Sequence, residues 1–333
     1  MQPPPTTCEN KAACGLKLRD PNLKLFRDPA RWPDDLRGGA VAVGNFDGVH
    51  LGHARIVQRL IAQSQSVGGP AVVFTFDPHP VRLLQPALAP PPLTWTDRKA
   101  DLLADLGVDS IIAYPTDEAM LNLTDRQFFD SVIRGRLAAK AMVEGKNFFF
   151  GRGRMGNIDV LRDLTSQASM VLEVVEPVVV DGETVSSSRI RKLIAAGRVG
   201  EARRMLTQPY RIRGMVTHGA GRGAKIGFPT ANVDAIDTLL PSAGVYAGTA
   251  SANGRRWRAA IHVGPNPTFG EQVLKVEVHL IDFEGALYGQ PLEVDFLARI
   301  RDVRTFASLE QLKEQLARDV SSARALTRQI DAG

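Results

Sequence analysis

The sequence predicts two domains of different fold class: an α/β domain with a parallel sheet, followed by an antiparallel β-barrel with a terminal helix. Three observations lead to this prediction. The 333 residues exceed what one hydrophobic core usually serves, since domains hold about 150 residues. Apolar strand-like runs alternate with helical segments over the first 200 or so residues. After about Met205 the strands follow one another with Gly, Pro and Asn between them, which is typical of antiparallel barrels and sandwiches.

The composition excludes several classes of protein. Hydrophobic residues make up 44% of the chain and charged residues 23%, as in globular proteins rather than disordered, collagen-like or coiled-coil chains. No apolar run approaches the ~20 residues of a membrane helix, and the N-terminus lacks the features of a secretory signal. The net charge of +5 suits anionic ligands but falls short of a nucleic-acid-binding surface. We therefore predict a cytoplasmic protein that binds neither membranes nor nucleic acid.

Residues 1–37 are rich in Pro, Arg and Asp without periodicity, and we predict a largely irregular leader there. It holds both cysteines of the chain, Cys8 and Cys14. Two cysteines provide neither a disulfide framework nor a four-ligand zinc site, so free thiols are expected.

The first domain is predicted to span residues 38–206 and to be Rossmann-like, with helices on both faces of its sheet. Apolar runs predict buried strands over residues 40–43, 71–76, 110–114, 141–144 and 170–175. An apolar stripe of period 3.6 predicts a helix over residues 52–65, and a second helix is predicted from Thr124, as its N-cap, to about Ala138.

The second domain is predicted to span residues 210–333 as a barrel or a sandwich. Its predicted strands cover residues 211–217, 244–250, 256–263, 273–283 and 292–297. One amphipathic helix closes the chain, with Ser308 and Gln311 spaced as a capping box. The apolar face of this helix is predicted to hold Leu309, Leu312, Leu316 and Val320.

A glycine-rich segment, residues 44–53, lies where the first strand ends and the first helix begins. Glycines let the main chain approach a ligand closely, and a helix N-terminus favours anions. His50 and His53 are three residues apart at the start of the helix, so both imidazoles can point toward phosphate oxygens. The pattern predicts nucleotide chemistry at this junction.

This segment reads G-x-F-D-G-x-H-x-G-H, and it resembles the fingerprint of the bacterial bifunctional riboflavin kinase and FAD synthetase family. The resemblance implies that the phosphate of FMN attacks the α-phosphorus of ATP and that pyrophosphate leaves. It implies catalytic roles for His50 and His53, which would stabilise the charge that develops on the phosphates. It implies ATP-binding roles for the loop residues Gly44, Asn45, Phe46 and Gly48.

Further segments of the first domain match the same family. The resemblance implies that the loop after the second strand forms the flavin side of the site, with Phe76, Asp77, Pro78 and His79. Another segment opens a helix and resembles the second motif of the nucleotidylyltransferase superfamily, with Ser187 and Ser188 binding ATP phosphates and Arg191 catalytic. Asn147 stands in a loop that contacts the nucleotide in the family.

The second domain contains G-F-P-T-A-N at residues 227–232, which resembles the flavokinase motif. The side chains of Thr230 and Asn232 share one side of an extended segment, and the resemblance implies that they bind Mg²⁺ together with ATP phosphates. Glu277 lies on the polar face of its strand, away from the core of the domain. The resemblance implies that Glu277 is the catalytic base, because the family has its base at this position. Arg222, Gly223 and Gly227 are the ATP-binding residues that the resemblance implies. Residues 266–269 also match the family.

Three residues depart from the family pattern, because Phe149, Thr184 and Ala224 stand where a basic or polar residue is common. Residues 219–226 have the spacing of a Walker A loop but lack its final Gly and its Ser or Thr. Residues 151–156 spell G-x-G-x-x-G, which alone would suggest a dinucleotide-binding dehydrogenase. That reading is weaker, because the motif falls late in the predicted sheet.

The prediction is therefore a bifunctional enzyme that phosphorylates riboflavin to FMN and adenylylates FMN to FAD, with ATP as co-substrate and Mg²⁺ as cofactor. Its expected partners are riboflavin, FMN, FAD and ATP, with flavoproteins as recipients of the FAD. Two alternatives stay open: a flavin- or nucleotide-binding module whose catalytic centres have decayed, and the dehydrogenase.

Overall fold

The structure, a computed structural model, describes residues 24–29, 31–219, 221–265 and 274–331. The described chain forms two compact units. The first holds the chain up to Ile194 together with Glu201–Tyr210, and the second holds Ala195–Gly200 and the chain from Arg211 onward. Ala195–Gly200 therefore groups with the second unit, although the sequence prediction placed it in the first. The two cysteines and the predicted motif at residues 266–269 lie outside the described residues.

The first unit is built on a six-stranded sheet in which every neighbouring pair is parallel. Its strands are β1 (Lys24–Phe26), β2 (Ala40–Val43), β3 (Ala71–Asp77), β4 (Ser110–Pro115), β5 (Ala141–Gly145) and β6 (Val171–Val175). Their order across the sheet is β1-β4-β3-β2-β5-β6. The fold class predicted from the alternation of strands and helices is confirmed for this unit.

Strand β1 differs from the prediction that residues 1–37 are irregular. Its three residues pair in parallel with β4, with Leu25 opposite Ile111. Three residues are too few to show the alternation by which a strand is recognised in a sequence. Pairing with β4, which lies more than 80 positions later in the chain, orders this segment. A contact so distant in sequence leaves no local pattern from which the strand could be predicted.

Helices and short turns connect these strands. The helices are α1 (Leu51–Val67), α2 (Val81–Leu84), α3 (Thr96–Asp105), α4 (Glu118–Leu121), α5 (Asp125–Phe128), α6 (Ile158–Gln167), α7 (Ser187–Ala195) and α8 (Val199–Met205). A small hairpin joins β7 (Val179–Val180) and β8 (Glu183–Thr184). Short 3₁₀ turns cover Asp34–Leu36, Pro86–Leu88 and Arg152–Arg154. Thr124 caps α5 with a complete capping box, and the chain continues as the π-helical segment Phe129–Arg136.

Both faces of the sheet are buried, because successive residues of a strand point to opposite faces. In β2, Val41 and Val43 belong to one apolar cluster, whereas Ala40 and Ala42 belong to the other. The strand order reverses at β2, whose neighbours are β3 and β5. In open α/β sheets, ligands bind beyond the carboxyl ends of the strands at such a reversal.

The second unit is a closed antiparallel barrel. Its strands are β9 (Tyr210–Thr217), β10 (Ala231–Asp234), β11 (Gly244–Ala252), β12 (Arg255–Gly264), β13 (Lys275–Leu280) and β14 (Pro291–Arg301). They close in the order β10-β13-β12-β11-β14-β9, which decides between the barrel and the sandwich that the sequence allowed. The short helix α9 (Arg222–Lys225) and the terminal helix α10 (Leu309–Asp331) complete the unit.

Helix α10 packs on the barrel through Val320, Ala323 and Leu326. Its predicted start is confirmed, because the Gln311 N–H donates to the Ser308 hydroxyl over 3.3 Å. Leu309 is 49% exposed, so its prediction as part of the apolar face is wrong: the contact begins a turn later. Among the described residues, no helix combines the length and apolar character needed to cross a membrane.

Candidate active sites

The first candidate site is the loop Gly44–His50, which joins β2 to α1. Its main chain curls through left-handed conformations, with φ of 45° at Phe46 and 85° at Gly48. The Gly48 N–H donates to the Thr94 hydroxyl over 3.2 Å. A Cβ at Gly48 would lie 2.9 Å from Leu93 Cδ1, so both the conformation and the space favour glycine. The hydrogen bond to Thr94 and the close approach to Leu93 hold the loop in contact with residues 93–94.

The two predicted histidines lie together at the start of α1. His50 is the N-cap residue, and its Nδ1 accepts the His53 N–H over 3.3 Å. The two rings stack, with centroids 3.6 Å apart and planes inclined by 16°. The ring of Phe46 lies 5.0 Å from that of His53. The structure therefore brings both imidazoles and Phe46 to the positive end of the helix dipole.

Both imidazoles are neutral at pH 7. Burial lowers the pKa of His50 to about 4, although the Asp47 carboxylate opposes this shift. The pKa of His53 lies well below its ordinary value, chiefly because of burial, and the neighbouring His50 imidazole and Lys99 ammonium act in the same direction. A neutral imidazole has one N–H donor and one acceptor. Buried His53 Nδ1 has no hydrogen-bond partner within the described part of the chain.

Asp47 organises the site, although the sequence prediction gave it no role. Its carboxylate accepts the main-chain N–H groups of Leu93 and Thr94, each over 3.0 Å, and forms an ion pair with Arg191. Its main-chain carbonyl accepts the Ser187 hydroxyl over 2.9 Å. Ser187 and Arg191, predicted to bind or act on phosphates, are thus held at the histidine loop through Asp47.

Lys99 is a buried cation that sequence reasoning also missed. It lies in α3 and is 7% exposed. Its ammonium donates to the Thr75 hydroxyl over 3.3 Å, and that hydroxyl donates to the Asn45 carbonyl over 3.2 Å. A signal was available, because Lys99 stands three and four positions before the core residues Leu102 and Leu103 and so shares their face of the helix.

A buried carboxylic acid lies where β2 and β5 separate. The ladder between these strands ends at Val41 and Met142, which leaves the Val43 N–H without a strand partner. The Glu144 carboxyl accepts that N–H over 2.7 Å. Glu144 is 2% exposed, and burial raises its pKa well above the ordinary value. On the other side of β2, the predicted ATP-binding residue Gly44 donates to the Phe74 carbonyl over 2.9 Å.

The predicted flavin-side loop continues from the end of β3. Its residues are Phe76, Asp77, Pro78 and His79, and the Asp77–Pro78 peptide is cis. The Asp77 carboxylate accepts the Thr96 hydroxyl, and His79 Nδ1 accepts the Val81 N–H over 3.2 Å. Burial lowers the pKa of His79, an effect that Asp47 opposes and the Arg191 and Lys99 charges reinforce. The loop therefore lies within electrostatic range of the histidine loop.

Two predicted ATP-binding residues are not engaged in this way. Asn147 is exposed in the turn after β5, and Ser188 is exposed in the first turn of α7. Within the described residues, no hydrogen bond joins either side chain to the histidines. Their roles stay predictions.

The G-x-G-x-x-G segment is not a dinucleotide loop. Phe150 and Gly156 form an antiparallel bridge with two main-chain hydrogen bonds of 3.0 Å, which closes the segment into a small hairpin. Helix α6 begins only afterwards, with Asn157 as its N-cap, so these glycines do not open a helix. At Phe149 the Arg154 guanidinium lies 4.8 Å from the ring centroid. Arg154 therefore supplies a positive charge beside the position where the family commonly has a basic or polar residue.

The second candidate site lies on the barrel around Glu277. In the register of the strands, Glu277 on β13 stands opposite Asn232 on β10 and opposite His262 on β12. Val276 and Val278 are buried while Glu277 is half-buried, which is the alternation that the sequence predicts. Burial lowers the pKa of His262, and the Glu277 charge opposes that shift. All three polar side chains line one pocket.

The glycine-rich segment before β10 folds into α9 and a tight turn rather than a Walker A loop. The Phe228 N–H donates to the Gly223 carbonyl over 2.8 Å. A Cβ at Gly223 would lie 2.3 Å from the Phe228 carbonyl oxygen and 3.5 Å from the Thr230 hydroxyl, so glycine allows the close approach. Gly227 has a φ of 89°. Arg222, Gly223 and Thr230 line the same pocket as Glu277.

Helix α10 forms the remaining wall of this pocket, which the sequence prediction missed. Asp319 is 2% exposed, and its carboxylate accepts the Arg301 guanidinium over 2.6, 3.0 and 3.1 Å. Gln315 also donates to this carboxylate over 2.7 Å. The apolar residues Leu312 and Leu316 line the pocket beside them. The pocket thus combines an apolar wall with polar groups at Glu277 and the glycine-rich segment, as ligand sites commonly do.

Two family models match the chain. Residues 33–189 match the FAD synthetase model, and residues 206–327 match the riboflavin kinase model. A bifunctional riboflavin kinase/FMN adenylyltransferase from Pseudomonas fluorescens is 35% identical over 91% of this chain and 98% of its own length. The protein of the same name from Escherichia coli K12 is 33% identical over 86% of this chain and 92% of its own length.

A solved structure is similar to this chain over most of the fold. The crystal structure of a macrolide-efflux protein from Streptococcus pneumoniae superposes with a TM-score of 0.79 and 30% identity, covering 91% of this chain and 99% of that one. The fold and the two sites define a two-domain flavin nucleotide transferase. The chain belongs to the bifunctional riboflavin kinase/FMN adenylyltransferase family.

Proposed function

We propose that the chain catalyses two successive reactions with ATP: phosphorylation of riboflavin to FMN in residues 210–333, and adenylylation of FMN to FAD in residues 38–206. One observation supports the proposal: in each unit, residues expected to act in its own reaction lie close together. His50 stacks on His53 at the start of α1, and Glu277 stands opposite Asn232 on the wall of the barrel pocket.

In adenylyl transfer, a phosphate oxygen of FMN bonds to the α-phosphorus of ATP while the bond to the pyrophosphate oxygen breaks. Negative charge develops on the α-phosphate and the leaving group. The neutral imidazoles of His50 and His53 would donate hydrogen bonds to that charge, supported by the N-terminus of α1. Arg191, held by Asp47, adds a positive charge for the pyrophosphate. No covalent enzyme intermediate is needed.

In the kinase reaction, the terminal hydroxyl of the ribityl chain attacks the γ-phosphorus of ATP, and ADP leaves. The Glu277 carboxylate would accept the proton of that hydroxyl, because its side chain is half-buried in the pocket and flanked by Asn232 and His262. Main-chain groups of the segment around Gly223 and Gly227, with Arg222, would bind the phosphates.

The donor set of the barrel site fits Mg²⁺ held mainly by substrate. The described residues contain no cluster of three His, Cys, Asp or Glu side chains suited to a metal, and Mg²⁺ in kinases takes few protein ligands beside phosphates and water. The Thr230 hydroxyl and the Asn232 amide oxygen would hold it. The ion, when bound, neutralises charge on the ATP phosphates.

As part of the same proposal, the enzyme acts in the cytoplasm and flavoproteins take up its FAD.

A time course that separates riboflavin, FMN and FAD tests the proposal. The full chain is incubated with riboflavin, ATP and Mg²⁺, and FMN is expected to rise first and FAD to follow. Omission of Mg²⁺ is expected to stop both reactions. Formation of neither product, with flavin or nucleotide still bound, would support the decayed binding module instead. A spectral titration with NADH tests the dehydrogenase, against which the closed loop at residues 151–156 argues.

A further inference from the structure

Lys99 lies between the two loops of the adenylyl-transfer site. Its charge acts on His53 beside the histidine loop and on His79 in the flavin-side loop. In turn, the carboxylates of Asp47 and Asp77, one from each loop, favour its protonated form and oppose the effect of burial on its pKa. Its hydrogen bond to Thr75, which precedes the flavin-side loop on β3, and the bond from Thr75 to the Asn45 carbonyl of the histidine loop place the ammonium between the two loops.

Most N–H donors of this ammonium have no hydrogen-bond partner among the described residues. Within the described chain, Nζ has one hydrogen-bond partner, the Thr75 hydroxyl at 3.3 Å, and no carboxylate in ion-pair contact. An ammonium has three N–H donors, and a buried charge without a partner is costly. A second buried group without a partner among the described residues lies nearby, at His53 Nδ1, and an imidazole nitrogen that carries a proton donates as the ammonium does. A cation and a possible N–H donor left open in one buried region indicate an anionic ligand that the free protein lacks.

We propose that Lys99 is a further phosphate-binding residue of this site, whose ammonium contacts the phosphate of the incoming FMN where it meets the α-phosphate of ATP. The inference rests on the proposed function. Adenylyl transfer brings two anionic phosphates into contact, and a compact cation between them reduces their repulsion. Among the cations near the site, Arg191 is already paired with Asp47, whereas Lys99 has no carboxylate partner within the part of the chain that the structure describes.

The competing explanation is structural. Lys99 bonds to Thr75, which bonds to the Asn45 carbonyl, so the lysine could act only by holding the histidine loop. Thr75→Val breaks this chain of hydrogen bonds and keeps the ammonium, whereas Lys99→Met removes the ammonium at similar length. Lys99→Arg keeps a positive charge. These three variants separate the role of the charge from the role of the hydrogen bond.

The experiment measures steady-state FAD formation by the full chain, with FMN and ATP varied separately. We expect Lys99→Met to raise the KM for FMN about tenfold or more, since a hydrogen bond to a charged group is worth at least that factor. The KM for ATP should change much less, Lys99→Arg should restore part of the loss, and Thr75→Val should leave the KM for FMN near that of the unaltered chain. Riboflavin phosphorylation by the same preparations serves as the unaffected reference.

Three outcomes would overturn the inference: an unchanged KM for FMN in Lys99→Met, a rise confined to the KM for ATP, or a Thr75→Val variant that reproduces Lys99→Met. If Lys99→Met does not fold, the unaltered chain and Lys99→Arg are compared at rising alkaline pH. Lysine loses its charge there and arginine does not, so the KM for FMN should rise only with lysine; equal behaviour would refute the inference. If the unaltered chain forms no FAD, the proposed function fails instead.

Discussion

Arg191 forms an ion pair with Asp47, which lies 144 positions earlier in the chain. The same carboxylate accepts main-chain N–H groups of Leu93 and Thr94. One buried side chain therefore connects three separate segments: the histidine loop itself, residues 93–94 and helix α7. This arrangement makes the geometry of the site depend on a residue that touches no phosphate in the proposed mechanism.

Asp47→Asn should destabilise the chain and reduce FAD formation. The substitution leaves the half-buried Arg191 without a counter-charge, and breaking such a largely desolvated pair costs up to about 3 kcal/mol. Urea unfolding of the full chain measures the stability, with Asp130→Asn as the matched control. Asp130 forms an exposed pair with Arg134, and such pairs contribute less than about 1 kcal/mol. Equal losses in the two variants would contradict the role given to Asp47.

His53→Ala and Glu277→Gln should separate the two activities. With FMN supplied, His53→Ala should lose FAD formation, whereas riboflavin phosphorylation continues because the barrel site is intact. Glu277→Gln should lose phosphorylation of riboflavin and still convert supplied FMN to FAD. Chromatographic separation of the flavins checks both results. Loss of both activities from one folded variant would show that the assignment of two independent sites is wrong.

His50 should make stability fall in mild acid. Its pKa is lowered from 6.5 to about 4 in the folded chain, so below pH 6.5 the unfolded chain takes up a proton that the folded chain does not. Stability present at neutral pH is therefore lost between pH 6.5 and about pH 4, by an amount on the order of 3 kcal/mol. His50→Asn retains an N-cap acceptor and should lose stability less steeply over this range. Parallel slopes of unfolding free energy against pH would contradict the shift.

Glu144→Gln should stabilise the chain at neutral pH. The pKa of Glu144 is raised by burial, so the unfolded chain releases its proton above about pH 4.5 while the folded chain retains it, and stability falls as the pH rises. Glutamine still accepts the Val43 N–H and does not ionise. We expect Tm to rise by a few degrees at pH 7 to 8 and to match the unaltered chain below pH 4. A lower Tm at pH 8 would show that the carboxylate is needed.

Most of the fold could be predicted because its strands are short apolar runs with clear ends. Residues 40–43 form β2 as predicted, since four apolar residues in a row suit a strand buried on both faces. Strand β10, Ala231–Asp234, was anticipated only as an extended segment, because two of its four residues are polar and it is too short for a pattern. It is a strand because β9 and β13 pair with it.

The candidate sites likewise contain residues whose positions local sequence predicts and residues for which it does not. Local spacing predicts the positions of His50, His53 and Glu277, at a helix start or on the polar face of a strand, whereas their catalytic roles are implied by the family resemblance and stay predictions. Asp47 and Lys99 were not assigned. The helical spacing of Lys99 indicates only that it is buried, and the importance of both residues lies in contacts with segments distant in sequence. Asp319 illustrates the same limit, because its position in α10 acquires meaning only from Arg301 on β14.

The two units differ in their susceptibility to association through strand edges, because the second is a closed barrel and the first an open sheet. Each of its strands has neighbours on both sides, so the ring offers no outer row of main-chain donors and acceptors to another molecule. The open sheet of the first unit ends in β1 and β6, and outer strands are where foreign chains attach and aggregates begin. Strand-to-strand association between copies of the chain would therefore involve β1 or β6 of the adenylyl-transferring unit rather than a strand of the barrel.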